Sequence, residues 1–154
     1  MDLDISFDTA HIQAAFVRFR ALGENPRPIT RQIAGILADS TEQAFADEKD
    51  PQTGTPWTDL TLKHKARREK KGYWPGKMLQ MQGALAMSMT TGYGPTSAWI
   101  GSPMVYAAIH QLGGTPDMPP GPAAIPARPY MGIDDVARKE ILQIIQRAVQ
   151  GSLS

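Results

Sequence analysis

Residues 113 to 129 read GGTPDMPPGPAAIPARP, with six prolines in the stretch. Each proline fixes its own φ and removes a backbone donor, so this segment cannot be a helix and makes a poor central strand. It is also longer than the connections that usually join elements of a compact domain. The fold must therefore be assembled from the segments on either side, with an extended, proline-stiffened connection between them. On the N-terminal side, GSPMVYAAIHQLGG carries the signals of a short helix: Ser102 as cap, Pro103 at the first helical position and Gly113 as the stop. Val105, Ile109 and Leu112 form its apolar stripe, with Ala108 beside them. On the other side, YMGIDDVARKEILQIIQRAVQG predicts a closing helix capped by Asp134, with Val136, Ile141, Ile144, Ile145, Ala148 and Val149 facing the core.

The remaining sequence divides at its other breaks. In DLDISFD, Leu3, Ile5 and Phe7 alternate with Asp4, Ser6 and Asp8, which is the period of a strand with one wet face over residues 2 to 7. Asp8 or Thr9 then caps a helix with apolar positions Ile12, Phe16, Phe19 and Leu22, ended by Gly23. The prolines of NPRPIT hold off regular structure until Ile29, after which Ile29, Ile33, Ile36, Leu37, Ala44 and Phe45 trace a second amphipathic helix to about residue 46. Residues 47 to 61 are loop, broken by Pro51, Gly54 and Pro56. From Leu79 the pattern is ambiguous between helix in its first half and strand in its second. GYGP reads as a turn, and TSAWIG as a strand pairing back on residues 86 to 91. The expected fold is α+β: a small, mostly antiparallel sheet with an N-terminal helical pair and a C-terminal helix, in one domain over residues 1 to 154.

Composition narrows the chemistry. At 154 residues the chain can bury a core without staples, and it has no cysteine, which excludes disulfides, thiolate nucleophiles and cysteine-ligated zinc. The acidic start MDLDISFD lacks the basic and apolar blocks of a signal peptide, and no apolar run approaches the ~20 residues of a membrane span, so a soluble cytoplasmic product is expected. The net charge is only +1, yet six bases and one acid fall between Lys63 and Lys71, with Tyr73 and Trp74 beside them. That run reads either as a solvated helix face or as a contact for DNA phosphates or an acidic partner.

His110 reads as a general base or as a structural or interface histidine. Its neighbours YAAIHQLGG supply neither nucleophile nor carboxylate, and no GxSxG motif occurs. A hydrolase would have to pair His110 with Asp117 or Asp134. Tyr106 and His110, four apart, share a helix face on which they can form a pair. His11, His64 and His110 lack metal-ligand spacing, and no cofactor motif is present, so no metal or cofactor is expected. Trp57, in a polar loop, pins that loop to the core or to a partner, and Arg128, Pro129 and Tyr130 have the same two readings.

Taken in order, PQTGTPW, LTLKHKARREKK, MLQMQGAL, IGSPMVYAAIHQLGG and IPARPYMGI resemble the phage virion morphogenesis family, the tail completion proteins of Mu-like phages. The resemblance runs from about Pro51 to the C-terminus and is most specific in YAAIHQLGG followed by IPARPY. It departs at Gln82, where a small hydroxylated residue is expected, and at Tyr130-Met131, where Phe-Leu is commoner. The resemblance implies a structural virion protein without catalysis, made in the host cytoplasm and incorporated at the head–tail junction or the head-proximal end of the tail. It further implies rings of about six copies, in contact with other neck and tail proteins. The candidate interface comprises Trp57, Lys63, Lys65, Arg67, Arg68, Tyr106, His110, Gln111, Arg128, Pro129 and Tyr130. The alternative is a non-sequence-specific DNA-binding module using residues 63 to 77, which in a ring would touch DNA in the channel; no membrane contact is expected.

Overall fold

The computed structural model describes residues 10–80, 83–104, 106–114 and 125–153. The strand expected over residues 2 to 7 lies outside them. Helix α1, Ala10–Ala21, is followed by α2, Arg27–Asp47, with Gly23 at φ 77° between them. The second helix begins two residues before Ile29, because Pro28 falls in its first turn, where a missing N–H breaks no helical bond. It ends at Glu48, whose left-handed backbone (φ 54°) returns its N–H to the Ala44 carbonyl. A tight loop follows, closed by the Lys49–Pro56 bridge and by Trp57 N–H donating to the Glu48 carbonyl at 2.8 Å. Helix α3, Leu62–Lys70, is capped by the Thr61 hydroxyl, which accepts from the His64 N–H.

The ambiguous stretch after Leu79 resolves against a strand from residue 86. Ala84–Met87 is one helical turn, α4, with Leu85 buried and Met87 exposed, and its end is closed by the Ser88 hydroxyl on the Leu85 carbonyl. Strand β1, Thr90–Tyr93, then pairs antiparallel with β2, Ala98–Gly101, in the register Thr90 to Gly101 and Gly92 to Trp99. The turn is Gly94 to Ser97, two residues later than GYGP predicts, because Gly92 and Tyr93 stay in the ladder. The Trp99 ring covers Gly92 so closely that a Cβ there would lie 2.2 Å from it. This cross-strand packing is open only to glycine.

Helix α5 is Ala107–Leu112 and does not start at Pro103. The Ser102 hydroxyl caps a turn at Met104 N–H and meets Ser88 Oγ at 2.6 Å, so it does not cap a helix. Nor is the stripe the expected one, since Leu112 is 61% exposed while Ala107 and Gln111 are buried; Val105 lies outside the described residues. Helix α6, Asp135–Leu153, does start at the predicted cap, Asp134 Oδ1 accepting from Ala137 N–H at 2.6 Å. Its buried face is Ala137, Ile141 and Ile145, while Val136, expected inside, is 64% exposed.

Helix α2 is the spine. Its first half meets α6 and α1 in a core of Phe19, Ile29, Ile36, Leu37, Ile133, Ala137, Ile141 and Ile145. Its last turns enter a second core with Ala44, Phe45, Trp57, Met78, Leu85, Ala107, Tyr130 and Met131. The hairpin lies along α2, tied by the Thr30 hydroxyl donating to the Gly94 carbonyl at 2.6 Å. The architecture is α+β, with a two-stranded antiparallel sheet, a helical pair before it and a long helix after it. Among the described residues no helix is long and apolar enough to cross a membrane.

Candidate functional site: a polar latch and a basic helix face

The two segments that carry the family resemblance meet in space. Gln111, at the end of α5, is buried, and its Oε1 accepts from the backbone N–H of Tyr130 at 2.9 Å and of Met131 at 3.0 Å. Its Nε2 donates to the Met131 carbonyl at 3.1 Å. Among the described residues no strand pairs with this extended segment, and one amide side chain supplies three of its backbone partners. Tyr130, wholly buried, stacks on Phe45 at 5.2 Å and donates its hydroxyl to the Ala107 carbonyl at 2.7 Å. Burial pushes the Tyr130 phenol up to about 12, which keeps it a neutral donor.

Arg128 completes the latch from the other side. Its N–H donates to the His110 carbonyl at 2.8 Å, and its guanidinium donates to the carbonyls of Thr58 at 2.9 Å and Asp59 at 3.4 Å. Burial works against its charge and the Asp59 carboxylate works for it. Trp57 Nε1 donates to the Pro129 carbonyl at 2.7 Å, and its ring meets Phe45 edge-on at 5.9 Å. Gly113 sits at φ 82° with the Ala127 nitrogen only 3.0 Å from where a Cβ would be, so α5 and the segment from Ile125 run together here. Trp57, Arg128 and Tyr130, and with them Gln111, thus brace the chain against its own core; Pro129 is half-buried.

Tyr106 and His110 do form the pair their spacing allows, edge-on at 5.8 Å. The His110 Nδ1 is buried without a hydrogen-bond partner, and burial together with Arg128 lowers its pKa below 6.5. The hydrolase pairing finds no support in Asp134, whose carboxylate caps α6; Asp117 lies outside the described residues. No three His, Asp or Glu side chains gather as a metal cage among the described residues.

The basic helix divides into two faces. Lys65 bonds the Asp59 carboxylate at 2.6 Å and lies over Trp74 at 5.2 Å. Arg68 is buried, stacked over the same ring at 5.8 Å and donating to the Lys77 carbonyl at 2.9 Å. Trp74, singled out only as aromatic surface, is a shelf for both cations. Lys63, Arg67 and Lys70, at positions i, i+4 and i+7, are left exposed on the opposite face. The sequence run is therefore a structural half and a free half.

These features define a class: a small α+β module whose latch holds its own scaffold and whose basic helix leaves three cations free on one face. The phage virion morphogenesis family matches over residues 7–150, and the chain belongs to that family. Among its relatives, the putative capsid assembly protein G of Escherichia phage Mu is 44% identical over 153 residues, covering 99% of this chain and 97% of that protein. Mu-like prophage FluMu G protein 1 of Haemophilus influenzae is 36% identical over 149 residues, 96% and 94% of the two chains. No solved structure matches. The chain is a phage structural or assembly protein.

Proposed function

We propose that this protein completes the phage tail or joins it to the head, acting as an oligomeric ring of about six copies at the head–tail boundary and contacting other neck and tail proteins. Its family membership over nearly the whole chain is the observation that carries this reading. The structure adds support in two ways. The aromatic and polar side chains of the latch are spent on holding backbone, which suits a shaped module. Of the side chains on the surface, Trp99 at 53% exposure and Arg67 are of the kinds enriched where proteins meet. The relative from phage Mu is named for capsid assembly, so the head side of the boundary is the place to test.

The test is a phage lacking this protein, complemented in trans and imaged. Filled heads and separate tails that fail to join, restored by the wild-type chain, are the expected result. Absence of filled heads would assign the protein to capsid building and sink the joining role. Sedimentation of the purified chain reads the ring directly. A second reading, favoured by Lys63, Arg67 and Lys70 standing free on one face, is non-specific contact of that face with DNA in the channel, and it predicts a salt-dependent duplex shift.

A further inference from the structure

The charges of this chain are segregated to a degree that its net charge of +1 hides. Residues 63 to 71 hold six bases and one acid; residues 32 to 48 hold four acids and no base; the remainder sums to zero. The acidic stretch is the outer side of α2, where Asp39, Glu42 and Asp47 are exposed at spacings of three and five. The two stretches do not neutralise each other within the chain. Among the described residues the ion pairs are Lys65 with Asp59 and Arg138 with Asp135, neither of which joins α2 to α3.

We propose that the free face of α3 docks on the acidic face of α2 of a second copy of this chain. The dimensions agree: at ~1.5 Å per residue, Lys63 to Lys70 spans about 10 Å and Asp39 to Asp47 about 12 Å. The cations form a narrow stripe, with spacings of four and three, and the carboxylates a broader patch across the exposed side of α2, so the stripe can meet carboxylates without rearranging either helix. A contact between two different patches of one chain repeats from copy to copy and closes into a ring when the rotation allows, which an isologous patch does not do. DNA is the weaker occupant. Lys65 and Arg68 are withdrawn onto Trp74, leaving a stripe too short for many phosphates, and the whole chain offers little attracting field. This inference rests on the ring reading and names the surfaces that would form it.

The experiment compares the full chain with Lys63→Glu/Arg67→Glu/Lys70→Glu, with Asp39→Lys/Glu42→Lys/Asp47→Lys, and with the two sets combined. Circular dichroism and melting check that each folds. Sedimentation at low and high salt reads assembly, and fluorescence anisotropy with a non-specific duplex reads DNA binding. Each single set is expected to weaken assembly tenfold or more at low salt, and the combined set to restore it. A wild-type chain that stays monomeric at every concentration removes the ring and this contact with it. Rings that persist in both folded single sets leave the ring reading standing and remove the contact. A salt-dependent duplex shift lost in the lysine and arginine set alone, with assembly unchanged, gives the stripe to DNA.

Discussion

Replacing Gln111 by alanine should be among the most damaging single changes on α5. The side chain makes three buried hydrogen bonds, two from N–H groups of Tyr130 and Met131 and one to the Met131 carbonyl. A buried backbone group left without a partner costs about 1–3 kcal/mol, and partial relaxation or entry of a water lowers the sum, so a loss of about 3–5 kcal/mol is expected. Tyr130→Phe gives the internal scale, since it removes one hydroxyl bond to Ala107 and keeps the stacking on Phe45, for a loss of about 1 kcal/mol. Urea unfolding followed by far-ultraviolet dichroism measures both through the shift in midpoint at constant slope. If Gln111→Ala unfolds within about 1 kcal/mol of the wild type, the amide is not what holds residues 130 and 131, and the latch as argued fails.

Further expectations concern the basic helix, the histidine and the glycine stop. Arg68→Glu should destabilise by about 2–4 kcal/mol by placing an unpaired carboxylate where a guanidinium is stacked, whereas Arg67→Glu should stay within about 0.5 kcal/mol; melting of the two variants side by side decides. The folded pKa of His110 is lowered, so the unfolded chain takes up its proton first; stability is full above about 6.5 and falls as the pH drops from there through the lower folded value. His110→Gln should flatten that part of the stability–pH curve, leaving any slope from His64, which is lowered in the same direction. Gly113→Ala should cost about 1–3 kcal/mol, because the backbone is left-handed there and the Ala127 nitrogen stands at 3.0 Å; an unchanged melting temperature would show that α5 can end another way.

What could be read from the sequence was what local chemistry decides. The long helices followed from their periodicity, and the capping of α6 by Asp134 and the stop at Gly113 followed from residue type at an element's end. The hairpin was visible, but its turn and first strand were displaced, since a four-residue apolar run carries no usable period and Gly92 looks like a turn until Trp99 is known to cover it. Helix α5 misled for a related reason. Apolar periodicity predicts a stripe of Val105, Ile109 and Leu112, while its buried face is Ala107 and a glutamine whose partners lie about twenty residues away. Charge was legible only as a sum, because nothing local shows that Trp74 draws in Lys65 and Arg68 and leaves Lys63, Arg67 and Lys70 outside.

The Gly114 N–H donates to the Ile125 carbonyl at 2.8 Å, and Arg128 N–H to the His110 carbonyl at 2.8 Å. The flanks of the connection, Gly114 with Ile125 and His110 with Arg128, are therefore joined by backbone bonds of their own. Doubling a loop adds only about 0.6 kcal/mol of closure entropy. The position between Gly114 and Ile125 is accordingly a port: an affinity peptide or a fluorescent label inserted there should leave the melting temperature nearly unchanged while marking the protein's place in the particle.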